Sequence, residues 1–171
     1  VEHVQITMAE KFGVEGRGRL YEELGAVRDV VQNHLLQVLA ILAMEPPVGT
    51  SPEAMRDEKM KVLRAIRHPE RHDIVRGQYE GYRSEDGVSP NSDAETYAAL
   101  RFEIDSWRWA DVPFFIRTGK RMPVTATEVI ATFRRPPQRL FDETLPPRAN
   151  YLRFRLGPDR IAIALGVRTK D

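Results

Sequence analysis

The sequence predicts an α+β fold, in which helices cover one face of a largely antiparallel β-sheet. Two segments with helical periodicity lie in the first half of the 171-residue chain. One segment with strand-like alternation precedes these helices and six follow them, with no helical pattern between the six. Strands that follow one another without crossover helices pair antiparallel, whereas parallel strands need such helices.

The first strand is predicted at residues 1–9. An apolar face and a polar face alternate along it, formed by Val4, Ile6 and Met8 and by His3, Gln5 and Thr7. This alternation is typical of a half-buried strand. The glycine-rich residues 11–25 that follow are predicted to be a loop that runs toward a helix.

The first helix is predicted from about Ala26. Apolar residues recur three and four positions apart, as on one face of a helix, and His34 takes a place among them. The stripe consists of Val27, Val30, Val31, His34, Leu35, Val38, Leu39 and Leu42. The Glu-Pro-Pro sequence at residues 45–47 ends this helix.

The second helix is predicted directly after that break, with Thr50 and Glu53 at the spacing of a capping box and Pro52 in the first turn. Pro69 ends it. Its apolar face consists of Met55, Val62, Leu63 and Ile66. The six further strands are predicted at residues 73–79, 98–104, 112–118, 127–133, 151–156 and 160–167.

Composition narrows the function classes. The chain has 26 basic and 25 acidic residues, and this net charge of +1 does not favour a polyanion or an anionic membrane as partner. The lack of cysteine excludes disulfides and thiolate metal sites, and no apolar run reaches the roughly 20 residues of a membrane span. His68 and His72 are four residues apart, but Pro69 interrupts any helix between them, so no metal site is predicted there.

The chain is predicted to be a single partial domain over residues 1–171. It begins on a strand pattern without a methionine and ends in or just after another strand pattern, so we expect it to be a piece of a longer protein. No G-x-G-x-x-G sequence of a dinucleotide-binding domain follows a strand.

His34 is a candidate catalytic residue, flanked on the predicted helix by Asp29, Asn33 and Gln37. A histidine inside a core needs a partner for each ring nitrogen. A general base instead needs one nitrogen open to substrate and an orienting group on the other. The pattern alone leaves both roles open.

Two charged residues stand at predicted strand ends. Glu10 follows the first strand, and Lys120 follows Gly119, which lets the turn bring the ammonium back over the sheet edge. A lysine there is a good donor to hydroxyl or phosphate oxygens, and a carboxylate accepts hydrogen bonds from hydroxyls. The alternatives are a solvated turn lysine and an exposed carboxylate.

Several long motifs resemble the glucose-6-phosphate dehydrogenase family. They occur in the family's order and cover essentially the whole chain: HVQITMAEKFGVEGRG, EGRGRLYEELGAVRDVVQNHLLQVLAILAMEPP, MRDEKMKVLRAI, GQYEGY, WADVPFFIRTGKRMP and YLRFRLGPD. The resemblance implies the C-terminal α+β domain, built on a large antiparallel sheet. It also implies that the family's N-terminal Rossmann domain, which binds the nicotinamide cofactor, is absent from this chain.

The resemblance implies roles for four residues. The histidine of the QNH motif, which is the family's general base, corresponds to His34. The hydroxyl-binding carboxylates correspond to Glu10 and Asp29, and the substrate lysine to Lys120. The implied reaction oxidises glucose 6-phosphate to 6-phosphogluconolactone with hydride transfer to NADP, the first step of the pentose phosphate pathway. A cytoplasmic homodimer or homotetramer is implied as well.

Some family positions differ in this chain. The DHYLGK motif, whose aspartate orients the histidine and whose segment grips the phosphate, is absent, so we expect the chain alone to be inactive. Thr125 stands where many members carry a second basic substrate residue, and whether Arg121 compensates is open. Animal members have a second, structural NADP site, at which this chain matches two basic positions and replaces two others: Arg117 and Arg155, and Ala126 and Ile130.

Two other functions compete with this interpretation. A non-catalytic oligomerisation or scaffold domain of a degenerate paralogue would not need all four residues, and binding of glucose 6-phosphate would discriminate it. Nucleic-acid binding through the basic run at residues 133–139 is disfavoured, because the run is short and holds one aromatic residue.

Overall fold

The computed structural model describes residues 1–135, 137 and 149–167. Its strands are β1 (His3–Ala9), β2 (Ile74–Gly77), β3 (Tyr97–Phe102), β4 (Phe114–Gly119), β5 (Ala126–Thr132), β6 (Tyr151–Gly157) and β7 (Ile161–Gly166). Its helices are α1 (Gly18–Ala26), a π-helical segment (Val27–Leu35), α2 (Leu36–Ala43) and α3 (Pro52–Ala65), with 3₁₀ turns at Arg71–Asp73 and Tyr82–Ser84. Each of these strands overlaps a predicted one.

The seven described strands form one sheet in the order β2-β3-β4-β1-β5-β6-β7. Neighbouring strands pair antiparallel except for β1 and β4, which run parallel. The predicted largely antiparallel sheet is therefore confirmed. The parallel pair was not predicted, because β1 and β4 are far apart in sequence and local periodicity carries no information on their pairing.

The core lies between the helices and one face of the sheet. Strand alternation places every second side chain of β1 and β4 on this face, where Val4, Ile6, Phe114 and Ile116 are at most 1% exposed. The helical side chains in the same core cluster are Val30, Val31, Leu35 and Leu39. On the opposite face Phe115 of β4 is exposed, which confirms that helices cover one face of the sheet.

The first helix begins earlier than predicted and changes geometry midway. α1 starts at Gly18, inside the stretch predicted to be a loop. Gly25 then adopts φ 61° and ψ 177°, a conformation almost restricted to glycine, and interrupts the α-helix. The π-helical segment follows, and it ends with the Leu36 N–H donating to the Val31 carbonyl. The glycines that predicted a loop thus mark a break within a helical stretch.

The predicted capping box of α3 is wrong. The N-cap is Ser51, whose hydroxyl accepts a hydrogen bond from the Ala54 N–H at 3.2 Å. An N-cap side chain bonds the N–H two or three residues further on, and for the free Ala54 N–H that residue is Ser51 and not Thr50. Pro52 lies in the first turn as predicted. The helix ends at Ala65, before Pro69, since the following backbone is extended.

The proline-rich basic segment between β5 and β6, including most of the run at residues 133–139, lies outside the described residues. Within the described ranges, no helix combines the length and the apolar content needed to cross a membrane. The same ranges contain no group of three or more histidine or carboxylate side chains placed to hold a metal ion.

Candidate active site

The candidate site lies at the sheet edge where β1 and β4 end. The two strands are parallel and in register, with Ala9 opposite Gly119. Parallel strands end at the same edge, so the residues that follow them, Glu10 and Lys120, come side by side. The Glu10 N–H donates to the Gly119 carbonyl at 3.0 Å and holds this arrangement.

Lys120 is buried at this edge. It is 5% exposed, its Nζ donates to Glu10 Oε2, and its backbone N–H donates to the Thr96 carbonyl at 2.9 Å. Gly119 allows close packing here, because a Cβ atom on it would lie 2.8 Å from the Tyr97 ring. The alternative of a solvated turn lysine is therefore wrong. Glu10 is also no free surface charge, since its side chain is paired and 26% exposed.

Two aromatic rings that the sequence analysis missed lie against this ion pair. Lys120 Nζ is 4.9 Å from the centroid of the Phe12 ring and 5.6 Å from that of the Tyr21 ring. Phe12 lies in a bend two residues after Glu10, and no sequence pattern indicates its contact with Lys120. Tyr21 lies in α1, and its contact with Lys120 has no sequence signal either.

The hydroxyl of Tyr21 is enclosed near the candidate carboxylates. Tyr21 is 4% exposed, and its Oη has no hydrogen-bond partner among the described residues. Burial, and then the nearby charges of Asp29 and Glu10, raise the pKa of this hydroxyl. The phenol is therefore neutral at physiological pH and could donate a hydrogen bond.

His34 is exposed and makes no contact of hydrogen-bond or ion-pair type with the described part of the chain. The prediction that it lies on the apolar stripe is wrong. The i→i+5 hydrogen bonds of the π-helical segment place more residues in each turn, which rotates His34 away from the buried Val31. The alternative of a core histidine with both nitrogens satisfied is excluded by this exposure.

Asp29 of the π-helical segment lies near Tyr21, the residue whose ring also lies against Lys120. In a π-helix residue i+5 stands one turn above residue i, so Asp29 and His34 share an edge of the segment. Asp29 is half-buried, and its charge acts on the Tyr21 hydroxyl. Three of the four predicted residues thus lie near Tyr21, namely Glu10, Asp29 and Lys120. The fourth, His34, lies on the same helix edge as Asp29 and is open to solvent.

Glu95 fixes the start of the π-helical segment. Its Oε1 accepts the Val27 N–H at 2.9 Å, and its backbone carbonyl accepts the Ala26 N–H at 2.8 Å. A Cβ atom on Gly25 would lie 2.6 Å from the same carboxylate oxygen. Only a glycine at the helix break therefore leaves room for the Glu95 carboxylate. These two hydrogen bonds from Glu95 thus help to fix the position of the helix edge that carries Asp29 and His34.

Thr125, which differs from many family members, and Arg121, the candidate to compensate for it, already have partners. Arg121 donates to Glu85 at 3.1 Å, and its guanidinium carbon lies 5.1 Å from the Tyr79 ring centroid. The Thr125 hydroxyl accepts the Lys11 N–H at 3.1 Å. Arg121 could contact a phosphate only through its remaining N–H groups or by leaving Glu85.

The arginines that match the second NADP site of animal members also make hydrogen bonds within the chain. Arg117 donates through Nε to the Thr7 hydroxyl at 3.0 Å, and Arg155 donates through Nη2 to Asp159 at 3.1 Å. The other two positions carry apolar side chains. Those two positions therefore offer no donor to the phosphates of a second dinucleotide.

Comparisons with known proteins agree with one another. Residues 1–171 match the family model described as "Glucose-6-phosphate dehydrogenase, C-terminal domain". The chain is similar to glucose-6-phosphate 1-dehydrogenase 1 of Mycobacterium tuberculosis (strain CDC 1551 / Oshkosh), with 51% identity over 160 residues, 93% of this chain and 34% of the relative. It is 44% identical over 176 residues to glucose-6-phosphate 1-dehydrogenase of Dickeya dadantii (strain 3937), covering 93% of this chain and 35% of the relative.

Solved structures show the same likeness. The crystal structure of glucose-6-phosphate 1-dehydrogenase from Mycobacterium avium superimposes with a TM-score of 0.94 at 47% identity, over 100% of this chain and 38% of that chain. A glucose-6-phosphate dehydrogenase in complex with its substrate glucose-6-phosphate gives a TM-score of 0.88 at 40% identity, over 96% of this chain and 35% of that chain. The chain thus spans little more than a third of the proteins it resembles.

Proposed function

Because the chain belongs to the glucose-6-phosphate dehydrogenase C-terminal domain family, we propose that it is the substrate-binding part of a glucose-6-phosphate dehydrogenase. The observation that carries the proposal is the pairing of Glu10 with the buried Lys120 beside the edge that bears Asp29 and His34. A cation and two carboxylates gather around Tyr21, and an open imidazole lies on the same helix edge as one of the carboxylates. Such a set suits a ligand with several hydroxyl groups and a negative charge.

The sugar phosphate is bound through the charged groups. Glu10 and Asp29 accept hydrogen bonds from sugar hydroxyls, and Lys120 donates to a substrate oxygen. An ammonium has three N–H donors, of which the described residues engage one, through Glu10. The other two are left for the substrate, which has to reach a side chain that is 3% exposed. This division of donors and acceptors orients the sugar ring against the π-helical segment.

His34 acts as general base on the anomeric hydroxyl. Its imidazole takes the proton from O1 while a hydride leaves C1, so the C1–O1 bond becomes the carbonyl of 6-phosphogluconolactone. The two electrons leave with the hydride, for which NADP is the acceptor. The exposure of His34 supports this role, because a base must reach the substrate from outside the core.

The hydride acceptor belongs to another part of the enzyme in this proposal. The sequence has no G-x-G-x-x-G fingerprint after a strand, and two of the four positions compared with the second NADP site of animal members carry Ala126 and Ile130. NADP is therefore bound by a domain outside this chain. We extend the family's properties to the whole protein: a cytoplasmic homodimer or homotetramer that catalyses the first step of the pentose phosphate pathway.

The proposal is tested by the rate of NADP reduction with glucose 6-phosphate, measured on the full-length protein that contains this chain and on the 171-residue chain alone. We expect activity in the full-length protein and none in the chain, which has neither the acceptor's domain nor the carboxylate that orients the histidine. A full-length protein that shows no activity and binds no glucose 6-phosphate by calorimetry would refute the proposal and favour the non-catalytic scaffold.

A further inference from the structure

We propose that Phe12 and Tyr21 form an aromatic clamp that positions the Lys120 ammonium, which makes both rings positioning residues of the sugar-phosphate site. The part that concerns substrate rests on the proposed function. The clamp itself rests on geometry, since Lys120 Nζ lies 4.9 Å from one ring centroid and 5.6 Å from the other.

The clamp stabilises the charge of a buried ammonium. The Lys120 side chain is 3% exposed, so its charge has lost nearly all of its hydration. Removing an ammonium from water is strongly unfavourable unless other groups replace the water. Glu10 replaces part of it through an ion pair. The negative faces of two aromatic rings replace more, and their attraction for a cation grows when water is excluded.

Each ring is held in place by its own contacts. Tyr21 packs edge-to-face against the ring of Tyr82 at 6.3 Å, and Tyr82 is 1% exposed and anchored by its hydroxyl, which donates to Glu22 at 2.8 Å. Phe12 is 44% exposed, but its carbonyl accepts the Arg121 N–H at 3.0 Å. The clamp therefore has a rigid buried side and an outer side tied to the turn after β4.

The clamp determines from which direction the ammonium can be approached. Two of its sides are covered by hydrocarbon rings, and the polar side is the one shared with Glu10. A substrate oxygen that approaches Lys120 from that side displaces neither ring. There the Glu10 carboxylate can accept a hydrogen bond from a neighbouring substrate hydroxyl. Without the rings, the flexible lysine chain would place its ammonium in several positions, and substrate would have to select one of them.

The first test measures KM and kcat for glucose 6-phosphate in the full-length enzyme. Phe12→Leu and Tyr21→Leu keep apolar bulk and remove the ring face. We expect each to raise KM about threefold to thirtyfold with kcat changed by less than about threefold. Tyr21→Phe and Phe12→Tyr are the matched controls: they keep the ring face, so each should raise KM less than the leucine variant at the same position does. Unchanged KM in both leucine variants, or equal damage in the controls, would overturn the assignment to substrate.

The second test detects the clamp by chemical labelling, without an activity assay. In the native full-length protein, the rate at which an amine-reactive ester acylates Lys120 is compared by mass spectrometry with that of Lys61, whose side chain is 70% exposed. We expect Lys120 to react at least about tenfold more slowly, and several times faster in Phe12→Leu than in the wild type, with Lys61 unchanged. No acceleration would refute the clamp.

The two tests separate failure of the clamp from failure of the proposed function. A wild-type protein that reduces no NADP with glucose 6-phosphate refutes the proposed function, and the acylation rates still decide the clamp. Loss of folding in Tyr21→Leu would leave the decision to Phe12→Leu, because that position is largely exposed and tolerates substitution.

Discussion

His34 is open to solvent because of the hydrogen-bonding pattern of the segment that carries it. In an α-helix it would stand near Val30 and Val38, on the side that packs against the sheet. The wider turn of the π-helical segment keeps Val31 and Leu35 buried and places His34 outside. A histidine in this place keeps its ring nitrogens available to a ligand, whereas a leucine would only expose apolar surface.

Replacing His34 by alanine tests this role. In the full-length enzyme we expect His34→Ala to lower kcat by about 10²–10⁴-fold, because proton removal loses its base. Its melting temperature should stay close to that of the wild type, since the side chain is exposed and unbonded within the described structure. Gln32→Ala, an exposed neighbour on the same segment, is the control and should keep kcat within about twofold. A loss below about tenfold for His34→Ala would contradict the assignment of a general base.

The resemblance named the charged candidate residues, whereas no sequence pattern indicated the aromatic ones. Glu10 and Lys120 stand at strand ends, where charges are rarely needed for packing. Their contact spans 110 positions and depends on the register of β1 with β4, which local patterns do not contain. Phe12 and Tyr21 look like ordinary apolar residues in the sequence, because only the folded sheet edge brings a cation between them.

The Glu95 carboxylate accepts a hydrogen bond at the start of the π-helical segment. Glu95→Ala removes the acceptor of the part-buried Val27 N–H and should lower the free energy of unfolding by about 1–3 kcal/mol. Glu95→Gln keeps an acceptor oxygen and loses only the 3.8 Å ion pair with the exposed Arg76, so we expect a loss below about 1 kcal/mol. Urea unfolding of both variants makes the comparison. Equal losses would show that charge, and not the hydrogen bond, holds the segment.

The start of α3 offers a matched pair of neighbouring hydroxyl residues. Ser51→Ala removes the cap on the Ala54 N–H and should cost about 1 kcal/mol of stability. Thr50→Ala removes a hydroxyl that caps nothing in the described structure and should change stability by less than about 0.5 kcal/mol. Thermal unfolding of the two variants distinguishes them. A larger effect at Thr50 would restore the cap predicted from the sequence.

Element types followed from periodicity, while element boundaries depended on tertiary contacts. The strands and the two helical stretches appear where the apolar pattern places them, because burial on one face of a sheet needs that pattern. The start at Gly18, the break at Gly25 and the cap at Ser51 were missed. Glycines indicate a loop in the sequence, but Gly25 has its conformation because Glu95 reaches the helix from a segment about 70 residues away.

The whole molecule is organised around the parallel pair of strands. β1 and β4 are neighbours in the sheet, and the helices cover one face of them. A row of tyrosines extends the core from the site toward residues 78–96. The rings of Tyr21 and Tyr79 both pack edge-to-face on Tyr82, at 6.3 Å and 5.6 Å. The site edge is therefore connected by buried aromatic contacts to the segment that carries Glu95.

The tyrosine row makes the molecule sensitive to alkali. Burial is the first cause that raises the pKa of Tyr21 and of Tyr82, and the Glu22 carboxylate adds to it at Tyr82. Both phenols stay neutral when folded at a pH where the unfolded chain ionises, so their contribution is complete below about pH 10 and is lost as pH rises further. Each should remove up to about 1.4 kcal/mol of unfolding free energy per pH unit above that value. Urea titrations at about pH 9, 10 and 11 measure the slope, and Tyr82→Phe should reduce it; a slope that is the same in this variant as in the wild type would refute the linkage.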